Sequence, residues 1–487
     1  MHNLARLLAL LGLISSAAFA QVTFSQTAYT SFDTSSNGVV SGDFNHDGIL
    51  DLVTINTNSL SFYKGLGGGK YAPAVKQSIP AGFGQVLAAD INRDGLLDLV
   101  IAPDSSNSNS AKYLLVLLGN GNGTFRQGAN IPIGGVYARI ALADFNGDHI
   151  PDLALSYCTP TSTPTCTAQV LLNNGSGVFY KSATLSLAGG DIVAGDFNAD
   201  GHQDIAVLYR TTYTSNYVEL YLGYGNGTFH SPVAAYVPSA QALAVGDFFG
   251  NHIPSLAVLN DIVNAEGSDS DNTYVYTLKY SSGSLVVANH QLLQYGTAVP
   301  YVALTAGDLN GDFRDDLALV GGNAWGDADA YIIGNGNGTF NSQQYFQNSG
   351  AASNVIIRDL NADSRHDILT DWNDVLGGPG GANVLINTNA PTNCTLPAAN
   401  AQSIHICAPY NGEVVGSSFT FKASGQAWNG TIKRMELWID GVKRGQFLED
   451  QFRQTVSLSR GYHTVTFVAV NTFDQYVKAS VTIKASY

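Results

Sequence analysis

Asp43-Phe44-Asn45-His46-Asp47-Gly48-Ile49-Leu50-Asp51 is the stretch on which the reading of this chain turns. Carboxylate or amide oxygens stand at its positions 1, 3, 5 and 9, with glycine at position 6. In a tight loop, spacing by two turns alternate side chains toward one centre. A hard cation such as calcium takes six to eight oxygens at about 2.3–2.6 Å, and a backbone carbonyl at position 7 adds to the set. Five further loops repeat the pattern. They are Asp90 with Asn92, Asp94 and Asp98; Asp144 with Asn146, Asp148 and Asp152; Asp196 with Asn198, Asp200 and Asp204; Asp308 with Asn310, Asp312 and Asp316; and Asp359 with Asn361, Asp363 and Asp367. A seventh begins at Asp247 but carries Phe249, Asn251 and Ser255 in place of Asn, Asp and Asp. One carboxylate does not hold calcium, so six ions at most are expected. Glycine fills position 6 only in the loops from 43, 90 and 196; His149, Phe313 and Ser364 stand there in the others. A positive φ strains a side chain, so weaker binding is expected in those three.

The loops start 47, 54, 52, 51, 61 and 51 residues apart. A period near 50 built of strand-like segments indicates a repeat fold rather than independent domains. In each unit an apolar strand enters the loop (Val86-Leu87-Ala88-Ala89), a second leaves it (Asp98-Leu99-Val100-Ile101), and a third follows (Leu114 to Leu118). Next comes a turn such as Gly119-Asn120-Gly121-Asn122-Gly123-Thr124-Phe125 and a more polar fourth strand. Asn-Gly favours hairpin turns because both residues tolerate φ > 0. Four antiparallel strands repeated seven times suit a seven-bladed β-propeller. The last unit stops after its third strand, Asn383 to Asn387, and residues 22–29 read like a fourth. That segment is expected to complete the seventh blade and shield its edge. An open solenoid, the rival, gives no reason for complementary partial repeats at the two ends.

The acidic loops and the Gly-Asn-Gly-Thr-Phe turns resemble FG-GAP/VCBS repeats, as in the integrin alpha-chain propeller and many secreted bacterial proteins. The resemblance covers about residues 22–390. It implies calcium held at positions 1, 3, 5, 7 and 9. The backbone carbonyls of Ile49, Leu96, Ile150, His202, Arg314 and Arg365 thereby join the side chains named above.

Residues 1–20 read as a secretory signal: Arg6, the apolar run Leu7 to Ile14, and the cleavage site Ala18-Phe19-Ala20. The run is too short to span a bilayer, and no later stretch approaches about 20 apolar residues. A secreted or cell-surface protein with no transmembrane span is expected. Four cysteines agree with export. Cys158 with Cys166 and Cys394 with Cys407 form the simplest pairing. Residues 21–390 carry a net charge of −19 and residues 391–487 of +3. Most of that acidity is ligand charge, so it does not argue for a basic partner. The absence of a basic stripe argues against nucleic acid.

Residues 391–403 read as a linker, and residues 404–487 as a small β-sandwich with alternating strands and an Asp440-Gly441 hairpin turn. The Pro409-Tyr410-Asn411-Gly412 opening and Leu437-Trp438-Ile439-Asp440-Gly441 resemble bacterial Ig-like or fibronectin type III modules. Trp438 is expected in the core.

No nucleophile elbow, zinc-protease helix or P-loop occurs, and the ten histidines have no partner at reproducible spacing. The expectation is a non-catalytic protein that binds an extracellular protein or glycan. The connections between second and third strands vary in length and sequence and lie on the face away from the acidic loops. Tyr209, Tyr213, Tyr217, Trp325 and Trp372 lie in or beside them as candidate contacts. The alternative is a carbohydrate-active protein, lectin-like or a polysaccharide lyase with a propeller frame. A lyase needs a basic residue near an acidic sugar, and Lys and Arg are scarce here.

Overall fold

A computed structural model describes residues 22–31, 36–103, 112–159, 166–185, 190–210, 216–251, 253–262, 272–294, 301–312, 314–323, 326–327, 329–346, 352–361, 365–372, 381–388, 403–408, 414–415, 418–427, 430–448, 450–459 and 461–485. All regular structure among them is β.

Seven sheets follow the seven acidic units. Sheet one contains Ser36–Gly42, Asp51–Asn56, Ser59–Tyr63 and Val75–Ser78, paired antiparallel in that order. Sheets two to six begin with Phe83–Ala89, Val136–Ala143, Ile192–Gly195, Ala240–Gly246 and Tyr301–Gly307, and sheet seven with Val355–Arg358. In each, the acidic loop joins the first strand to the second. The second strands are apolar on both faces, as a layer between two neighbours requires. In Asp51–Asn56 and Asp98–Pro103 every residue is buried.

The expected closing strand is present. Phe24–Ser31 pairs with Gly381–Asn387, so residues from the two ends of the repeat region share sheet seven. Tyr331 Oη donates to the Val22 carbonyl at 2.8 Å and Thr388 N to that of Thr23 at 2.7 Å. Apolar clusters lie between consecutive sheets all the way round. Val53, Leu60 and Phe62 of sheet one meet Leu99, Ile101 and Leu117 of sheet two. Leu369, Val384 and Ile386 of sheet seven meet Val39, Leu52 and Tyr63 of sheet one. Each fully buried Leu, Ile or Phe contributes about 1.5–3 kcal/mol, so these seams dominate the stability of this part.

The seams are also stitched through the turns. Phe125 lies edge-on to Phe44 at 5.7 Å, Phe229 to Phe145 at 5.8 Å and Phe340 to Phe248 at 5.7 Å. Beside each pair, the last glycine of the turn donates its N–H to the preceding sheet: Gly123 to Phe44 O, Gly227 to Phe145 O and Gly338 to Phe248 O, at 2.8–3.0 Å. Acidic loops and Gly-Asn turns therefore share one face, as expected.

Beyond these lie two more sheets. One holds Ser403–Ala408, Ser418–Gln426 and Gln451–Ser457. The other holds Val414–Val415, Tyr476–Ala485, Gly461–Asn471, Ile432–Ile439 and Val442–Phe447. They share a core of Phe421, Phe452, Met435, Leu437, Phe467 and Ile483. The Asp440-Gly441 turn has φ of +53° and +77°, the geometry that two-residue hairpins need. Trp438 departs from expectation. Alternation sends Met435, Leu437 and Ile439 inward and Trp438 outward beside Glu436, to whose Oε2 its indole N–H donates at 2.9 Å. The periodicity of two places Trp438 opposite to Leu437, and that alternation outweighs the hydrophobicity of the indole.

This C-terminal body sits on the acidic-loop face. Phe473 is buried in the cluster shared by sheets two and three. Gln475 Nε2 donates to His149 O at 3.2 Å. Asp450 Oδ2 lies 3.5 Å from His366 Nε2. Of the two expected disulfides, Cys158–Cys166 is present and closes the hairpin between the second and third strands of sheet three. Cys394 and the side chain of Cys407 lie outside the described residues, as do residues 1–20 and Pro409 to Gly412. No helix among the described residues is long and apolar enough to cross a membrane.

Candidate metal centres

Each loop is first organised by its own backbone. In the loop from Asp43, the Asp43 carboxylate accepts Asp47 N–H at 3.0 Å and Gly48 N–H at 2.8 Å. Asn45 Oδ1 accepts Asp47 N–H at 2.9 Å, and Asp47 Oδ1 accepts Ile49 N–H at 3.0 Å. The same bonds recur around Asp90, Asn92 and Asp94; Asp144, Asn146 and Asp148; and Asp196, Asn198 and Asp200. Asp308, Asn310 and Asp312 repeat them as far as Arg314 N–H. In the loop from Asp359, Asn361 N–H reaches Asp359 at 3.3 Å; Asp363 lies outside the described residues.

Position 9 is the keystone. Asp51, Asp98, Asp152, Asp204, Asp316 and Asp367 are all fully buried. Each accepts the position-2 amide through Oδ2, from Phe44, Ile91, Phe145, Phe197, Leu309 and Leu360 at 2.8–3.1 Å. Through Oδ1 each also accepts an amide from the end of its sheet's third strand. Gly65, Gly119, Asn173, Gly223, Gly334 and Asn387 supply these bonds at 2.7–2.8 Å. Sequence reasoning missed those six donors. Their signal is a Gly or Asn at the head of each turn. At Gly119 an added Cβ would stand 2.3 Å from Leu97 O, so the close approach that makes the bond demands glycine.

The left-handed positions extend beyond position 6. Position 4 has positive φ as well as position 6: His46 +63°, Arg93 +61°, Gly147 +78°, Ala199 +59°, Gly311 +75°. At position 6, Gly48, Gly95 and Gly201 lie at +85° to +92°, and His149 at +63°. Loops from 43, 90, 144 and 196 thus each contain one glycine and one strained side chain, in one order or the other. The handicap expected from His149 is offset by Gly147. Phe313 and Ser364 lie outside the described residues.

Electrostatics distinguish these loops from ordinary turns. Asp51, Asp98, Asp152 and Asp204 are each pushed up to about 7, first by burial and then by the carboxylates at positions 1 and 5. Asp316 is raised well above its usual range for the same reasons. Basic partners reach the rim: Lys64 is 3.0 Å from Asp47, and Arg126 is 3.8 Å from Asp94. A buried carboxylate beside two others costs several kcal/mol unless a cation accompanies it. The donor set, all hard oxygen, fits calcium or a similar ion. In the geometry described, the oxygens face backbone amides, and no three His, Cys, Asp or Glu side chains among the described residues surround one point in ligand geometry. The set is therefore suited in chemistry and closed on its own amides. Asn45, Asn92, Asn146, Asn198, Asn310 and Asn361 stand beside the carboxylates; the carbonyls of Ile49, Leu96, Ile150, His202, Arg314 and Arg365 lie on the turn that leads to position 9.

The loop from Asp247 is built differently. Phe248 N–H bonds Ser255 Oγ at 3.3 Å, and that hydroxyl donates to Gly246 O at 2.7 Å. Asp315 of sheet six reaches across to accept Asp247 N–H at 2.6 Å. Lys279 Nζ stands 4.7 Å from the centre of the Phe249 ring.

The first strands of the seven sheets enclose a cavity. Its loop end is about 530 Å³ and is bounded by Thr472 and Phe473 of the C-terminal body. The far end, about 670 Å³, includes Gln85, Arg139, Asp191 and Asn354. Arg139 Nε donates to Asp191 Oδ1 at 3.2 Å. Of the aromatic residues expected on this face, Tyr217 is exposed and edge-on to Tyr236 at 5.4 Å. The side chains of Tyr209 and Trp372, and all of Tyr213 and Trp325, lie outside the described residues.

Three segments, residues 43–101, 90–155 and 196–258, match the FG-GAP-like repeat family. No curated protein matches the chain in sequence. Solved structures give loose likenesses. The extracellular domain of a putative one component system from B. thetaiotaomicron is 10% identical, with 96% of this chain and 58% of that chain covered and a TM-score of 0.38. A lectin from Agrocybe aegerita, described as recognising non-reducing terminal N-acetylglucosamine, is 17% identical over 72% and 80% with a TM-score of 0.33. An endo-beta-1,4-mannanase from Thermotoga petrophila is 11% identical over 18% of this chain at a TM-score of 0.16. The chain spans only 20% of that enzyme and 58% of the B. thetaiotaomicron extracellular domain.

Proposed function

We propose that this chain is a secreted, calcium-stabilised, non-catalytic binding protein. Its seven sheets are read as the blades of a closed β-propeller, and its C-terminal body as an Ig-like sandwich. The observation that carries this reading is the fully buried aspartate at position 9, repeated in six loops and, in the five from Asp43, Asp90, Asp144, Asp196 and Asp308, set beside two further carboxylates. Bound calcium would supply positive charge at that cluster and tie the turn between first and second strands. The chain's own residues do the rest. Position-9 carboxylates hold the loop to the third strand, Asn and Asp at positions 3 and 5 shape the turn, and the Phe–Phe pairs lock adjacent sheets.

A scaffold of this kind holds variable connections on its other face, and recognition of an extracellular protein or glycan is assigned there. The C-terminal body covers the centre of the loop face, which favours the opposite one for a large partner. Purified calcium-loaded protein applied to a glycan array and to an extracellular-protein panel, with a polysaccharide-degradation assay in parallel, tests the proposal. Saturable binding without turnover supports it; release of reducing ends or unsaturated sugars overturns the non-catalytic reading.

A further inference from the structure

A cleft of about 780 Å³ separates the outward face of the five-stranded C-terminal sheet from the loops of sheets three and four. Its sheet wall carries Trp438, Glu436, Tyr476 and Lys478, and its loop wall Gly147 and His149. The two walls are tied by the Gln475–His149 hydrogen bond and the buried Phe473, so the cleft does not depend on loose tethering. Glu436, buried in the sheet wall, accepts bonds from Arg434 Nε and Lys443 Nζ at 2.8 Å and from Trp438 Nε1 at 2.9 Å. That arrangement holds the indole by its polar edge. Arg434 also bonds Asp474 at 3.3 Å, and Lys478 Nζ lies 5.0 Å from the Tyr476 ring centre.

We infer that this cleft is a binding site for a neutral, pyranose-containing glycan, seated against Trp438. The site is distinct from the recognition face assigned above and does not rest on it. Glu436 and Asp474 of the sheet wall are paired with Arg434, Lys443 and Lys433, and Lys478 stands over the Tyr476 ring, so the wall offers a charged ligand no cluster of like charges. An indole fixed by its N–H offers a rigid apolar surface, and a sugar ring offers a C–H face with hydroxyls at its rim. Thr466 and Ser480, on the same wall as Trp438, bond each other through their hydroxyls at 2.8 Å, which leaves one O–H and the remaining lone pairs for that rim. Rigid aromatic surface of this kind binds at low entropic cost.

The test is calorimetric titration of the full chain in calcium with neutral tetrasaccharides of glucose, mannose, xylose and N-acetylglucosamine. Trp438→Ala is expected to weaken binding by at least tenfold, Trp438→Phe by only a few fold, and Tyr180→Ala, at an exposed site away from the cleft, not at all. On the unmodified chain, the indole N–H resonance that disappears in Trp438→Phe is expected to shift on titration, which guards against misfolding of the alanine variant. Binding unaffected by Trp438→Ala, an unmoved indole resonance, or affinity only for charged glycans or peptides overturns the inference. So does the absence of binding to any of the four sugars.

Discussion

The loops from Asp43 and from Asp247 reach the same turn by different chemistry. In the first, Phe44 N–H is held by the Asp51 carboxylate at 3.0 Å; in the second, Phe248 N–H is held by the Ser255 hydroxyl at 3.3 Å. Asp47 N–H and Asn251 N–H return to the first aspartate at the same 3.0 Å. Backbone geometry therefore does not need three carboxylates. One aspartate, a serine and a neighbour's Asp315 suffice. The additional acids in the first loop raise the pKa of Asp51 and crowd charge around its buried carboxyl, which destabilises the turn unless a cation joins them. The seventh loop is a control, within one molecule, for what the other six hold.

The largest expected effect comes from removing metal. One site at a hundredfold excess over its dissociation constant contributes about 2.7 kcal/mol, and 1 kcal/mol moves the melting point of a large domain by about 2–4 °C. With six such loops, a chelator is expected to lower Tm by more than roughly 10 °C in a scanning calorimeter. An unchanged curve would mean that the acidic loops behave like the one from Asp247.

Next is proton linkage in the metal-free protein. Asp51, Asp98, Asp152 and Asp204 rise to about 7 when folded, against about 3.9 for an aspartate in the unfolded chain. The unfolded chain releases its protons first as pH increases. Each group therefore favours folding below about pH 4 and loses that contribution as pH climbs through about 7. In chelator, Tm is expected to fall from pH 5 to pH 8. In calcium the fall is expected to be small, since the ion takes the proton's place, so the gap between the two conditions widens with pH.

Point substitutions sharpen the contrast. Asp51→Asn takes one acceptor from the Phe44 or Gly65 amide in either condition, and is expected to cost about 2–3 kcal/mol more in calcium, one site's contribution, than in chelator, where relieved repulsion offsets part of the lost bond. Ser255→Ala removes a hydroxyl that makes two hydrogen bonds, worth about 1 kcal/mol each, and is expected to cost the same in both. Equal costs for Asp51→Asn with and without calcium would break the distinction. The smallest effect is backbone strain: Ala199→Gly is expected to change stability by no more than about 1 kcal/mol, because relief at φ of +59° is offset by entropy gained in the unfolded chain.

Much of this was legible before any coordinates. Period, strand order and the pairing of residues 22–29 with 383–387, which the structure extends and shifts to 24–31 with 381–387, follow from apolar runs and turn residues, which act locally. So did the Asp440-Gly441 hairpin. Position 4 escaped because His46, Arg93 and Ala199 do not announce a left-handed backbone, although the alternation of glycine between positions 4 and 6 does. Seating of the C-terminal body escaped for another reason. Phe473, Gln475 and Asp450 meet partners more than eighty residues away in sequence, and no local pattern marks such contacts. Trp438 faces outward because its position in the strand's alternation, and not its residue type, decides its side.

The most direct measurement is anomalous diffraction from crystals grown in calcium, read loop by loop. The account predicts ion density between Asp43 and Asp51 and in the five loops like it, and none between Asp247 and Ser255. No density at Asp43–Asp51, or equal density at both, would contradict it.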